Sequence, residues 1–293
     1  MHALYALDYA EANRGALVIA VLIAIIAACA AVIIYLRIHG IVYVGSTAAG
    51  TTVVHDDTHV MGERIRVLEV AGTYQSATYL DDRWADLVFP YHKAFEHLFD
   101  AWVHDPEPRE LVILGGGGYA IPKHLVAHHP EVTRIDVVEL DPAIERIART
   151  HFFVNRLEER FGAESSGLLN LHVADAYDWL EENTHRYDAI INDCFFGLAP
   201  EESLITYEAA ALIQRHLTPT GLYLTNVVSA LKGPDSAILR TTVASLETAF
   251  QFIWIYPGSP QDPESRDNNV VIASNAHHDL VGARELVTRR ETA

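Results

Sequence analysis

The stretch "ELVILGGGGYAIPKHL", Glu110 to Leu125, carries an apolar, strand-like run into four consecutive glycines and then into a helix-like segment. Glycine adopts positive φ and lets the backbone come close to a ligand, but each one costs conformational entropy on folding, so four at a strand end need a reason. A tight strand-to-helix turn is one reading, and a loop that approaches a nucleotide is the other. The flanking sequence decides between them.

Downstream, strand and helix patterns alternate: a helix from about Ile121, "RIDVVEL", a helix from Pro142, "LNLHV", a helix from Ala176 and "YDAIIND". "TYEAAALIQRHL", "GLYLTNVV", a helix near Ser236 to Ala249, "FQFIWIY" and "NNVVIAS" follow. Such alternation predicts an α/β fold with a mainly parallel sheet covered on both faces, its ligand lying beyond the carboxyl ends of the strands. The last two strands have no clear helix between them and predict an antiparallel hairpin at the sheet edge. Upstream, "PYHKAFEHLFDAW" reads as helical, and "RIRVLEV" and "YQSATYL" as β-like pieces separated by "AGT". The expected organisation is an N-terminal segment 1–14, an apolar helix 15–36, a linker 37–52 containing "GSTAAGTT", a small β appendage 53–82, the main domain 83–276 and a tail 277–293.

The chain has 293 residues, half of them hydrophobic, which suffices for one large α/β core and an appendage. Its formal charge of -18 disfavours nucleic acid, whose binding relies on Lys and Arg clusters. Cys29 and Cys194 make neither a disulfide framework nor a paired-cysteine zinc site. His124 and His128 have the i,i+4 spacing that puts two rings on one helix face. No glutamate follows His124, however, and "HLVAHH" reads as a solvated helix, so no metal is expected.

"GALVIAVLIAIIAACAAVIIYL", Gly15 to Leu36, carries no charge and is bracketed by Arg14 and Arg37; about twenty such residues cross a bilayer core. "IAAC" at Ile26 to Cys29 resembles a lipoprotein cleavage box, but the apolar run continues beyond the cysteine and the preceding segment is not markedly basic. An uncleaved single-pass membrane anchor is expected. Arg14 and Arg37 balance, so the charge rule leaves its orientation open.

Three acids follow the glycines at strand ends. Glu139 closes "VVEL", where an acid accepts hydrogen bonds from both ribose hydroxyls. Asp175 of "VADAYDWL" can hold an adenine amino group while Ala176 leaves room for the ring, and Asp193 ends "YDAIIND" beside the place of a reacting group. Each has a plainer reading as a cap, a dipole partner or a loop acid. Together they resemble the class I AdoMet-dependent transferase fold, a Rossmann-like, mostly parallel seven-stranded sheet. Within it they resemble the spermidine synthase (polyamine aminopropyltransferase) family over about Val53 to Ser274.

"TYQSATYL" places Gln75 where that family has a glutamine touching the nucleoside, "FPYHKAFEHL" places Tyr91 and His92 on its Tyr-His or Tyr-Gln pair, and "VVELDP" is close to its ribose-binding strand end. The family's catalytic aspartate, opening D-[ST]-[ST]-D-P, falls on Asp193 of "DCFFGLAP". The resemblance thus implies Asp193 as the catalytic residue. It implies Gln75, Gly115, Gly116, Gly117, Glu139, Asp175 and Ala176 at the nucleoside. Tyr91, His92 and Tyr119 are then the candidates for contact with the acceptor. It further implies AdoMet or decarboxylated AdoMet as co-substrate, a small amine as acceptor, a cytoplasmic catalytic domain, and leaves a homodimer open.

The departures bear on the acceptor. The family's G-G-G-D-G is here Gly115 to Gly118 followed by Tyr119, so the loop acid is gone; the second acid after the fourth strand is Phe196; and T-Y-P-S-G has only Tyr256 as a loose match. Losing those acids removes partners for ammonium groups, and a buried cation without a partner is costly. It also removes a repulsion against the carboxylate of intact AdoMet, so methyl transfer stands beside aminopropyl transfer, and nucleoside binding without turnover beside both. Cys194 has no adjoining histidine and is not expected to act as a nucleophile.

Overall fold

The computed structural model describes residues 2–58, 62–102, 109–196 and 199–288. Residues 59–61 of the expected appendage, Gly197 and Leu198 of "DCFFGLAP", and residues 289–293 of the expected tail lie outside the described residues.

Helix α1 (His2–Ile38) begins inside the segment read as 1–14 and continues two residues past the apolar run. Its stretch Leu17–Ile38 is long and apolar enough to cross a membrane, and none of it is buried against the rest of the protein. Next come β1 (Ile41–Thr47), β2 (Gly50–Asp57), β3 (Ile65–Val70) and β4 (Thr73–Tyr79), which form a four-stranded antiparallel sheet in sequence order. The stretch read as a linker, 37–52, therefore holds β1, a tight turn and the start of β2. Its Gly, Ser and Thr residues are hairpin chemistry rather than spacer chemistry.

Helix α2 (Pro90–Phe95) opens on a proline at its first position and runs into a 3₁₀ segment, Glu96–Trp102. The main domain then winds through β5 (Arg109–Leu114), α3 (Ala120–His128), β6 (Val132–Glu139), α4 (Pro142–His151), α5 (Asn155–Phe161), β7 (Leu169–Val173), α6 (Ala176–Glu182) and β8 (Tyr187–Asn192). Two short strands, β9 (Phe195–Phe196) and β10 (Ala199–Pro200), precede α7 (Tyr207–Arg215), β11 (Leu217–Ser229), α8 (Ala237–Leu246), β12 (Phe252–Tyr256), β13 (Asp267–Ser274) and β14 (Arg284–Thr288).

Among the described residues the large sheet has eight strands in the order β14-β12-β13-β11-β8-β5-β6-β7. Strands β11, β8, β5, β6 and β7 run parallel, and β13, β12 and β14 add antiparallel pairs. The Rossmann-like fold read from sequence is present with the expected antiparallel hairpin, β12 and β13, at one edge, and it differs in having eight strands rather than seven. β13 is the inner member of the terminal hairpin, and β14, inside the stretch read as a tail, pairs with β12 as the outermost strand. Its sequence "RELVT" is short with two of five residues charged, which is how edge strands are kept from pairing further and why its pattern is faint.

Side-chain alternation explains the layering. In β5, Leu111 and Ile113 join a core beneath α3 and the 3₁₀ segment, while Val112 and Leu114 join the opposite core beneath α6, α7 and α8. All four are at most 1% exposed. A strand buried on both faces reads as a continuous apolar run, as "LVIL" does. These packed layers hold the carboxyl ends of β5, β6 and β8, and the loops that follow them, in fixed register.

Candidate active site

The four glycines follow β5 directly. Gly115 has φ +92, and a Cβ there would lie 2.7 Å from the Asp193 carbonyl oxygen, so the β5 and β8 ends meet only because this residue has no side chain. The Gly115 N–H donates to the Val138 carbonyl at 2.9 Å and the Asp193 N–H to the Leu114 carbonyl at 2.9 Å, which ties three strand ends together. Gly118, where the resembled family has its loop acid, faces Ser76: a Cβ would sit 2.7 Å from Ser76 Cβ and 3.2 Å from Phe152 Cδ1. The acid is missing from a place already filled by β4.

Glu139, at the end of β6, is nearly buried and turned onto the loop. Its Oε2 accepts from the Gly116 and Gly117 N–H groups at 2.8 and 3.2 Å, and its Oε1 from the Asp141 N–H at 2.9 Å. Burial raises its pKa above the ordinary glutamate value, against the lowering effect of those N–H donors. Asp175 caps α6, with Oδ1 accepting from Tyr177 and Asp178 N–H at 2.8 and 3.1 Å. The plain reading of Asp175 as a helix cap is thus realised through one oxygen, while the residue also lines the cleft beside Ala176.

Asp193 is gripped on both oxygens. Oδ2 accepts from the Tyr91 hydroxyl at 3.2 Å and lies 3.4 Å from His92 Nε2, and Oδ1 accepts from Asn226 Nδ2 at 3.1 Å. Asn226 Nδ2 also donates to Asn268 Oδ1 at 3.0 Å. Burial, then the Asp193 charge, pushes the Tyr91 phenol well above its ordinary range, so it stays a neutral donor.

These residues line one cleft of about 420 Å³, together with Gln75, Gly115, Gly116, Gly117, Glu139 and Ala176. Tyr119 does not line it: the ring is 1% exposed and packs under Gly116, and the residue takes φ +56 at the start of α3. Its position next to the loop suggested a contact that its left-handed backbone turns inward. Sequence reasoning also missed Asp141, Glu201, Asn226 and Asn268, all on the cleft wall. Asn226 interrupts the apolar run of β11, which was the available signal, whereas Asn268 lies in the polar opening of β13 and gave none.

The cleft is acidic. Glu139, Asp141, Asp175, Asp193 and Glu201 line it, and among the described lining residues there is no Lys or Arg. The charge of four of these acids reaches the Cys194 thiol, whose pKa is pushed well up by burial and then by Glu139, Asp193, Glu201 and Asp175. Cys194 is held protonated, the opposite of an activated nucleophile. The Thr47–Gly50 turn of the appendage supplies the rim: the Ala48 N–H donates to Asp141 Oδ2, and Thr47, Ala48 and Ala49 line the opening. The cleft thus joins a glycine loop, whose backbone is open to close approach, to strand-end carboxylates and a wall of negative charge.

Comparison with known proteins agrees with this geometry. The spermine/spermidine synthase domain matches residues 88–246, more than half of the chain. A polyamine aminopropyltransferase of Vibrio vulnificus is 27% identical over 161 residues, 54% of this chain and 50% of that protein. Polyamine aminopropyltransferase 2 of Hyperthermus butylicus is 29% identical over 62% of this chain and 56% of its own length. The chain thus spans about half the length of these curated relatives. A probable spermidine synthase from Corynebacterium glutamicum shares the fold with a TM-score of 0.68, 21% identity and 81% of each chain covered. A spermidine synthase in complex with the transition-state analogue AdoDATO gives a TM-score of 0.61 at 18% identity, over 82% of this chain and 75% of that one. With its fold, its strand-end acids and the match across its central half, the chain belongs to the spermine/spermidine synthase domain family.

Proposed function

We propose that the protein is a membrane-anchored aminopropyltransferase that takes decarboxylated AdoMet as donor and a small amine as acceptor. One observation carries the reading: five carboxylates line the cleft, and among the described lining residues no Lys or Arg does. A donor and acceptor that bring only positive charge suit such a wall, whereas the carboxylate of intact AdoMet would enter it without a cationic partner.

In this reading Glu139 binds the ribose, Asp175 the adenine amino group through the oxygen its cap leaves over, and the glycine loop closes against the sulfonium side. Tyr91, His92 and Asn226 fix Asp193, which holds the acceptor amine in line. The nitrogen lone pair forms a bond to the carbon next to sulfur, the C–S bond breaks with its pair going to sulfur, and methylthioadenosine leaves. Asp193 takes the proton the amine gives up. The apolar stretch Leu17–Ile38 supports anchoring in the cell membrane, and a donor made in the cytosol requires the catalytic domain on the cytoplasmic side.

Methyl transfer from intact AdoMet is the second reading, favoured by the absence of a carboxylate at Gly118. Calorimetric titration of the full chain in detergent with AdoMet, decarboxylated AdoMet and methylthioadenosine separates the two. Labelled donors with an amine panel, read by product mass, then distinguish aminopropyl from methyl addition. Tight binding of decarboxylated AdoMet with propylamine addition is the expected result, and binding of none of the three would leave a family member without this activity.

A further inference from the structure

Further along α3 from the end that meets the active cleft, four ligating side chains crowd around one imidazole, that of His124. Asp86, His124 and His128 bring one ligand atom each to within 4.8 Å of one another, and Glu96 and His129 do the same with the shared His124. The His124 and His128 ring centroids are 4.6 Å apart, the consequence of i,i+4 spacing on α3. His128 Nε2 and Asp86 Oδ1 already lie 2.9 Å apart, close to the separation of two atoms that share a small cation.

His124 is the ligand the two triads share. It is 9% exposed, and its Nδ1 lies 3.2 Å from the Ala85 carbonyl oxygen, which can only accept. Nδ1 therefore donates, and Nε2 is the ring atom left to face another group. That Nε2 is buried without a hydrogen-bond partner of good geometry, and the Glu96 carboxylate lies directly against it. A proton or a metal ion between His124 Nε2 and the Glu96 carboxylate satisfies both groups. An Nδ1–H held by a backbone carbonyl is also the arrangement that orients metal-bound histidines.

We propose that Asp86, His124 and His128 bind one divalent transition-metal ion of the Zn²⁺ class, with Glu96 as the neighbouring carboxylate. The second triad is the weaker ligand set, because His129 Nδ1 is engaged by Glu131 at 2.9 Å and its ring is stacked on Phe99 at 3.7 Å. The sequence pattern "HLVAHH" was read as a solvated helix because Asp86 and Glu96, which complete the cluster, come from elsewhere in the chain. The ion clips the segment after β4 to the helix that starts at the glycine loop, so its role is structural, and it is independent of the proposed transfer reaction.

The test uses the full chain in detergent, stripped with chelator and dialysed, titrated calorimetrically with Zn²⁺ and followed with Co²⁺ by visible absorption. Expected are one ion per chain, a raised melting temperature, and a Co²⁺ band that is lost in His124→Ala. His128→Gln should weaken binding by about tenfold or more and His129→Gln by no more than about threefold. His128 is exposed, so its variant carries the test should His124→Ala fail to fold. No saturable binding, undiminished binding in His124→Ala or His128→Gln, or loss in His129→Gln with His128→Gln unaffected each overturns the assignment.

Discussion

The Tyr91 hydroxyl reaches Asp193 Oδ2 at 3.2 Å from 102 residues away in sequence, and Asn226 Nδ2 holds the other oxygen at 3.1 Å. With both oxygens engaged the carboxylate has one orientation, which a group that aligns an attacking amine needs. Asp193→Asn keeps the shape and loses the basic oxygen. Turnover should fall by roughly 10²-fold or more while donor affinity stays nearly constant. Steady-state kinetics beside donor calorimetry checks the pairing, and equal loss of rate and affinity would move Asp193 into the donor site.

Glu139 and Asp175 should separate from Asp193 in the opposite sense. Removing either carboxylate by alanine takes away a directional bond to the nucleoside worth on the order of 1.5 to 3 kcal/mol, about tenfold or more in donor affinity. Asp175→Ala also strips the α6 cap at a stability cost of about 1 kcal/mol. Asp175→Asn retains a capping oxygen and should recover the melting temperature without recovering affinity. Calorimetry and thermal melts on the same samples decide it, and unchanged affinity in both alanine variants would remove the nucleoside assignment.

Burial, and then the Arg156 charge, brings the Lys123 ammonium down to about 7 from an ordinary 10.5. Between those values the unfolded chain holds one proton more than the folded one, so stability rises with pH across the window and is lost as pH falls toward 7. The slope is about 1.4 kcal/mol per pH unit at its steepest. Lys123→Met should abolish this slope between about pH 7.5 and 9.5. It leaves no orphaned partner, because Thr78 Oγ1, which receives the Lys123 bond at 2.9 Å, itself donates to the Trp84 carbonyl at 2.9 Å. Denaturant midpoints against pH for both proteins test it, and parallel curves would show that Lys123 is charged in the fold.

The fold was legible where periodicity was strong. "LVIL", "RIDVVEL" and "YDAIIND" are strands buried on both faces, and the glycines after the first and the acids Glu139 and Asp193 after the others mark the cleft side of the sheet. What stayed hidden depended on contacts made far along the chain. β1 opens on the apolar "IVYV" but follows α1 directly and runs into "GSTAAGTT", whose Gly, Ser and Thr read as a spacer until β2 pairs back on it. Asn226 and Asn268 signify a site only once β11 and β13 bring them together beside Asp193. Tyr119 looked like a ligand contact because it follows the glycines, but its backbone conformation, not its neighbourhood in sequence, sets its direction.

Membrane orientation is checked at Ser46, an exposed residue of β1 eight positions beyond α1. With Cys29→Ala as background, Ser46→Cys should react with an impermeant thiol reagent only after the cells are permeabilised. Labelling of intact cells would put the domain outside and separate it from a cytosolic donor.

Gly118 and Ser76 offer the sharpest test of why the loop has a fourth glycine. A Cβ at position 118 would stand 2.7 Å from Ser76 Cβ and 2.6 Å from its Oγ, closer than real contacts allow, and Ser76 is 2% exposed with little room to withdraw. Gly118→Ala should therefore destabilise the protein by about 1 to 3 kcal/mol through overpacking, although alanine costs less backbone entropy than glycine. Ser76→Gly removes both offending atoms, so the double variant should recover part of the loss, with Phe152 Cδ1 at 3.2 Å limiting the recovery. A double-mutant cycle on denaturant unfolding reads the coupling directly. A favourable coupling of about 1 kcal/mol or more would mean that β4 packing excludes the acid. Additive effects would mean that the glycine serves the ligand instead, and donor affinity rather than stability should then fall in Gly118→Ala.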